Sequence, residues 1–157
     1  MALIREKRKG EKRNIKILAK EMTTFPPLLL RNLKFSFLES GEITPTQIAV
    51  ILNLSEQRGP IKMSELARIM SSSMPTMTGI IARLVEKGVV ERGEDETDRR
   101  IVTVKLSENG QILAHNSLDM IEKFWSSIIA KLEKNEREDF IKIIRKIKNL
   151  LSGEMKR

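Results

Sequence analysis

The chain has 157 residues, 40% of them hydrophobic, which suits one domain with a sizeable core or one lobe plus an oligomerisation element; its formal net charge of +8 makes a polyanion the default partner. It has no cysteine, no tyrosine and a single histidine, which excludes disulfides, thiolate metal sites and thiol redox sensing and leaves few candidates for a nucleophile and base. No apolar run approaches the ~18 residues of a membrane span, and no continuous apolar stretch follows the basic start as in a signal peptide, so a cytoplasmic protein that is not an enzyme and needs neither cofactor nor membrane is expected.

The charge is concentrated at the beginning. Arg5, Lys7, Arg8, Lys9, Lys12, Arg13, Lys16 and Lys20 stand against Glu6 and Glu11, placing +6 of the total in the first twenty residues. Three readings fit this segment: a solvated tail, an extra dimer helix, or an arm that contacts phosphates. Pro26 and Pro27 should split the following pattern into two helical pieces, because proline removes an amide donor and disfavours helix in the residue before it. The second piece, Leu28 to Leu38, carries Leu29, Leu33 and Phe37 on one stripe and closes at Ser40-Gly41. Thr44-Pro45-Thr46-Gln47 then opens a helix with a capping box, and Ile48, Ile51 and Leu52 form its buried face. Arg58-Gly59-Pro60 is a loop, and Ile61-Lys62 is a candidate short strand.

From Met63 to Leu106 the spacing predicts a winged helix-turn-helix. A first helix rests on Leu66, Ala67 and Met70, and Ser71, Ser72 and Ser73 make the turn. A second helix buries Met77, Ile80, Ile81, Leu84 and Val85. Ser73 suits its N-cap, and Gly88 suits a left-handed C-terminal residue. The opposite face carries Met74, Pro75, Thr76, Thr78, Gly79, Ala82 and Arg83, mostly small side chains that let a helix approach a grooved polyanion closely. Two strands follow, one starting at Val89-Val90 and one from Ile101 to Leu106, with Val102, Val104 and Leu106 alternating inward around a turn at Gly93 to Thr97. The tip holds Asp98, Arg99 and Arg100. An acidic tip fits a DNA contact where a carboxylate pre-orients an arginine, and Asp98 with Arg100 suits that role; the plainer reading is an exposed ion pair of little energy. The acidic run lacks the spacing of a calcium loop.

After Ser107 a long helix carries Leu113, Ile121, Phe124, Trp125, Ile128 and Leu132, with His115 near its start, either exposed or lining a pocket. Phe140, Ile143, Ile144, Ile147, Leu150 and Leu151 form a final stripe. These helices, with the Leu-rich N-terminal piece, can cover the lobe's own core or pack against a second copy about a twofold axis, and the homodimer is the expectation. The fold class is therefore mainly α with a small β-wing: a winged helix-turn-helix plus N- and C-terminal dimerisation helices. Its expected divisions are 1–40, 41–110 and 111–157.

Leu-Val-Glu-Lys-Gly-Val-Val-Glu-Arg, followed by Asp-Arg-Arg before a strand and Leu-Ser-Glu-Asn-Gly after it, resembles the multiple antibiotic resistance regulator (MarR) family over about Leu28 to Leu118. That resemblance implies a homodimeric transcriptional repressor on double-stranded DNA, released by a small anionic or aromatic effector. It makes Ser72, Ser73, Met74, Pro75, Thr76, Thr78 and Arg83 the DNA-binding recognition-helix residues, with Ser73, Met74, Thr76 and Thr78 near major-groove base edges and Arg83 near phosphate, and puts Arg100, held by Asp98 and flanked by Arg99, in the minor groove. Gly79 departs from the family's usual larger side chain. Met74 and threonine methyls facing bases suggest an A·T-rich pseudo-palindromic operator. The alternative is a winged helix used as a protein- or RNA-contact module.

Overall fold

A computed structural model describes residues 2–32 and 43–153. The chain divides into two units, residues 1–45 and 46–157. In the first, helix α1 (Ala2–Asn32) runs unbroken through Pro26 and Pro27, so the expected two-piece arrangement is corrected. Proline's fixed φ is itself helical. The Met22 and Thr23 carbonyls that the two rings leave without amide partners belong to exposed residues, where water can take their place. Leu29 is half-buried within α1. The remainder of the expected second piece, including Leu33, Phe37 and Ser40-Gly41, lies outside the described residues.

Helix α2 (Pro45–Ser55) starts directly after Thr44, as a proline at the first helical position predicts. Ile48 and Ile51 are buried as expected and Leu52 only partly; Gln47, Val50 and Leu54 are buried as well. Strand β1 (Ile61–Lys62) leads into helix α3 (Met63–Ile69), and helix α4 (Met74–Glu86) follows. Strands β2 (Val90–Glu94) and β3 (Val102–Leu106) complete an antiparallel sheet of order β1-β3-β2. Ile61 faces Val104 across one ladder, and Val90 faces Leu106 across the other. The core of the second unit is Val50, Ile51, Leu66, Met77, Ile81, Leu84, Val90 and Val104, all essentially without solvent contact.

Both helices of the helix-turn-helix end in the same way. After α3, Ser72 N donates to Ala67 O at 2.9 Å and Ser71 N to Arg68 O at 3.1 Å; after α4, Val89 N donates to Leu84 O and Gly88 N to Val85 O, each at 2.9 Å. These paired bonds require a left-handed residue, which is Gly88 (φ 68°) in one case and Ser71 (φ 47°) in the other. Serine carries a Cβ that crowds this conformation. Ser71→Gly should therefore stabilise the protein by about 1 kcal/mol, less any loss from glycine's greater freedom when unfolded. The urea midpoint measures it, and an unchanged or lower midpoint would contradict the strain.

Helix α5 (Glu108–Ile129) is capped by Ser107, whose Oγ accepts from Gly110 N at 3.0 Å and donates to Gly88 O at 2.6 Å. One serine thus joins the end of α4 to the beginning of α5. Only Gly110, Ala114 and Ser117 of α5 are buried; Leu113, Ile121, Phe124 and Trp125 are half-buried, and Ile128 is exposed. Helix α6 (Lys134–Ser152) starts with a reciprocal Glu133/Glu136 capping box and buries no residue at all. Its stripe Ile143, Ile144, Ile147, Leu150 and Leu151 is exposed, and Phe140 half-buried. The alternative in which this stripe covers the lobe's own core is thereby removed. Among the described residues no helix is long and apolar enough to cross a membrane.

Candidate nucleic-acid interface

The free face of α4 begins at its cap. Ser73 has extended backbone angles, and its hydroxyl accepts from Thr76 N at 3.3 Å and shares a hydrogen bond with the Thr76 hydroxyl at 2.8 Å. Pro75 occupies the first turn, where its missing amide donor costs nothing. Ser73, Met74, Pro75, Thr76, Thr78, Gly79, Ala82 and Arg83 are exposed together, while Ser72 is half-buried in the turn. On the other side, Met77, Ile81 and Leu84 are fully buried. Two expected core positions are corrected: Ile80 is half-buried and Val85 is 38% exposed, since both lie at the margins of the apolar stripe. No atom comes within 4 Å of where a Gly79 side chain would begin, so the middle of this face is open to close approach.

The wing is a hairpin whose two strands outrun the core. Val102 was expected to point inward but is 42% exposed, and Thr103 is buried instead. Gly93 was expected in the turn and is instead a strand residue paired with Thr103. The tip is held by Asp95, a residue that sequence reasoning passed over. Its carboxylate accepts from Thr97 Oγ1, from Thr97 N at 3.0 Å and from Asp98 N at 3.3 Å, and pairs with Lys62 Nζ at 3.4 Å. The loop closes through Asp95 N to Ile101 O at 3.0 Å and Ile101 N to Asp98 O at 2.9 Å. The signal in the sequence was Asp followed two residues later by Thr, a side chain that mimics a turn's backbone bond.

The Thr97 hydroxyl and then the Thr97 amide lower the Asp95 carboxyl to about 2 from its ordinary 3.8, with Asp98 N and Lys62 adding to the effect. Because the folded value is depressed, the stabilisation is complete above the ordinary carboxylate range and is lost as pH falls through about 2. Backbone amide shifts of Thr97 and Asp98 followed by NMR should titrate with a midpoint near 2. A midpoint at the ordinary value would show that the loop is not organised by Asp95.

Beyond that turn, Asp98 Oδ1 accepts from Arg100 N at 3.0 Å and from Arg100 Nε at 3.3 Å, so the expected pair is present. The Arg100 side chain is 93% exposed, aligned at its base and unspent at its tip, while Arg99 is exposed beside it. Arg92, not anticipated as part of this surface, extends from β2 and donates through Nη2 to Thr78 O at 3.3 Å, linking wing to α4. Arg92 and Arg100 line a groove of about 330 Å³ between α4 and the wing, together with Ser64, Met74 and Thr78. Elsewhere in the same unit, Gln57, Arg58, Lys105 and His115 line a second cavity of about 460 Å³ between the end of α2 and the start of α5.

A helix with a free small-residue face, joined to an arginine-bearing β-wing, defines a winged helix-turn-helix protein. Residues 43–102, the winged helix-turn-helix lobe, match the model of the MarR family. It is similar to the HTH-type transcriptional regulator YfiV of Bacillus subtilis, 39% identical over 61 residues; the match spans 39% of this chain and 38% of YfiV's length. Among solved structures it is similar to RV1404 from Mycobacterium tuberculosis (TM-score 0.76, 20% identity, 88% of this chain and 94% of that one). It is also similar to Streptococcus pneumoniae FabT, whose structure is in complex with DNA (TM-score 0.72, 20% identity, 89% of this chain and 98% of that one).

Proposed function

We propose that this chain is a sequence-specific double-stranded DNA-binding transcriptional regulator, a repressor that acts as a homodimer on an A·T-rich pseudo-palindromic operator. The observation that carries the proposal is the pairing of an unobstructed α4 face with Arg100, which Asp98 aligns at the wing tip. A guanidinium ordered before binding loses less side-chain entropy on entering a narrow minor groove. Ser73, Met74, Thr76 and Thr78 are assigned to base edges, Arg83 to phosphate. The DNA-bound state of FabT supports the reading by likeness of fold.

The dimer is assigned to the helical part of residues 1–40 that follows the basic extension, through Leu29 and Leu33, and to residues 111–157, through Phe140, Ile143, Ile144, Ile147, Leu150 and Leu151. In support, the α6 stripe is exposed in a single chain, an apolar area that a lone surface helix rarely leaves in water. A small anionic or aromatic effector is proposed to act by preferring one spacing of the two recognition helices. The cavity lined by Arg58, Lys105 and His115 offers it two cationic partners, Arg58 and Lys105.

The test is fluorescence anisotropy on duplex DNA from the region upstream of the protein's own gene and on a scrambled duplex, with sedimentation velocity to count subunits. The expected result is a dimer that prefers the upstream DNA and protects two half-sites with centres ~10 base pairs apart. Equal, weak binding to both duplexes would overturn the proposal and favour a protein- or RNA-contact module.

A further inference from the structure

The cations at the beginning of the chain are organised by α1 in a way the lobe does not explain. Residues 2–32 are one helix rather than a disordered tail, and Arg13 to Leu28 are exposed on it. At 100° per residue, Arg5, Lys9, Lys12, Arg13, Lys16 and Lys20 fall on one side, within an arc of roughly 100°. The ridge is about 22 Å long at 1.5 Å per residue. Each of these residues stands three or four positions from another cation, the spacing at which helical side chains meet, and only Lys9 has a carboxylate (Glu6) at that spacing. Arg13, Lys16 and Lys20 are exposed, and among the described residues no ion pair engages them. Among the described side chains, Arg13, Lys16 and Lys20 thus stand as exposed like charges at successive spacings of three and four along the helix.

Position along α1 separates the remaining readings. The apolar seam Ile15, Leu18, Met22, Phe25 and Leu29, at alternating spacings of three and four, begins only at Ile15. From Arg5 to Asn14 the sequence has no apolar side chain. A dimer helix needs that seam to continue, and a helix lying on a membrane needs an apolar face beneath its cations. Neither is present under the first half of the ridge. What remains is a partner that supplies regularly spaced negative charge in water.

We infer that the first twenty residues of the chain form a second, sequence-independent nucleic-acid contact, in which the ridge from Arg5 to Lys20 neutralises duplex phosphates and reads no bases. This rests on the DNA-binding reading above and adds to it an element that sets affinity and salt response without setting specificity. Glutamine keeps helix propensity and side-chain length while removing charge.

The test uses the full-length chain with Lys9, Lys12, Arg13, Lys16 and Lys20 all changed to glutamine. Wild type and variant are titrated, over a salt series, with the upstream duplex, a scrambled duplex, and vesicles of mixed phosphatidylserine and phosphatidylcholine. The slope of log affinity against log salt should become shallower by about 0.9 for each phosphate that the variant no longer neutralises, and the upstream-to-scrambled preference should be kept. Circular dichroism should show helix content held or raised, since repulsion has been removed, and sedimentation should show the same subunit count. Unchanged slopes on both duplexes would overturn the inference, and so would a salt-dependent weakening confined to the vesicles or a change in subunit count. Failure of the regulator reading looks different: wild type would then bind both duplexes equally, whatever the ridge does.

Discussion

Gly110→Ala should be among the most damaging single-methyl additions available in the second unit, costing about 2 kcal/mol or more. A Cβ at this position would lie 2.0 Å from the Val89 carbonyl oxygen, 3.1 Å from its carbon and 3.2 Å from Leu106 Cδ2. The nearest atom is backbone and is not free to retreat. Val89 O accepts from Ser107 N at 3.0 Å, and Val89 N closes the end of α4 on Leu84 O at 2.9 Å. Displacing that peptide loosens the joint through which Ser107 links α4 to α5. Overpacking costs ~1–3 kcal/mol even when a side chain can yield, and a backbone obstacle places this case at the upper end. The helix propensity that alanine gains over glycine, about 1 kcal/mol, offsets part of it. Gly79→Ala is the matched control: it also lies inside a helix but meets no atom within 4 Å, so it should hold or raise stability by up to ~1 kcal/mol. Urea unfolding of both variants decides the matter. Equal midpoints for the two would mean that the close packing at Gly110 is not real.

The contrast between these glycines shows what a sequence carries and what it conceals. The helix-turn-helix was legible because periodicity and capping agree there: Ser73 caps α4, Gly88 ends it, and Met77, Ile81 and Leu84 form its buried stripe. The Asp98–Arg100 pair was legible in the charges of the wing tip, and the short strand Ile61–Lys62 as the third strand that a winged domain commonly carries. Local rules failed where the outcome depends on surroundings. Pro26 and Pro27 argue for a break, yet a helix tolerates them where the freed carbonyls belong to exposed residues. Alternation places Val102 inside, but a strand that extends past its core has no inside at that end. Asp95 was hidden among acidic neighbours, Glu94 and Glu96, because nothing in composition distinguishes the carboxylate that closes a turn from those that are only solvated. Arg92 was hidden because its partner, the Thr78 carbonyl, is a backbone atom fourteen residues away.

Arg100→Ala should weaken operator binding about 100-fold if each subunit of a dimer inserts one arginine, taking ~1.4 kcal/mol, or a factor of ten, for each. Folding stability should hardly change, since the side chain is 93% exposed and its ion pair with Asp98 lies at the surface. The informative variant is Asp98→Asn, because two effects compete in it with opposite signs. Removing a negative charge next to a polyanion should tighten binding if Asp98 is only a bystander. If its role is to hold the guanidinium through the 3.3 Å contact to Nε, the arginine must be ordered on binding instead, at ~0.5–1 kcal/mol per subunit, and affinity should fall about 5- to 30-fold. Asparagine retains the Oδ1 that accepts from both the Arg100 amide and Nε, so the turn itself survives and what is lost is the charge that strengthens the hold on the guanidinium. The cycle closes with the double variant. Once Arg100 is gone, Asp98→Asn should cost nothing further and can even restore some affinity, giving a coupling of about 1 kcal/mol or more. Additive effects, or tighter binding by the single Asp98→Asn variant, would reduce the pair to an ordinary surface ion pair and leave α4 to carry the recognition.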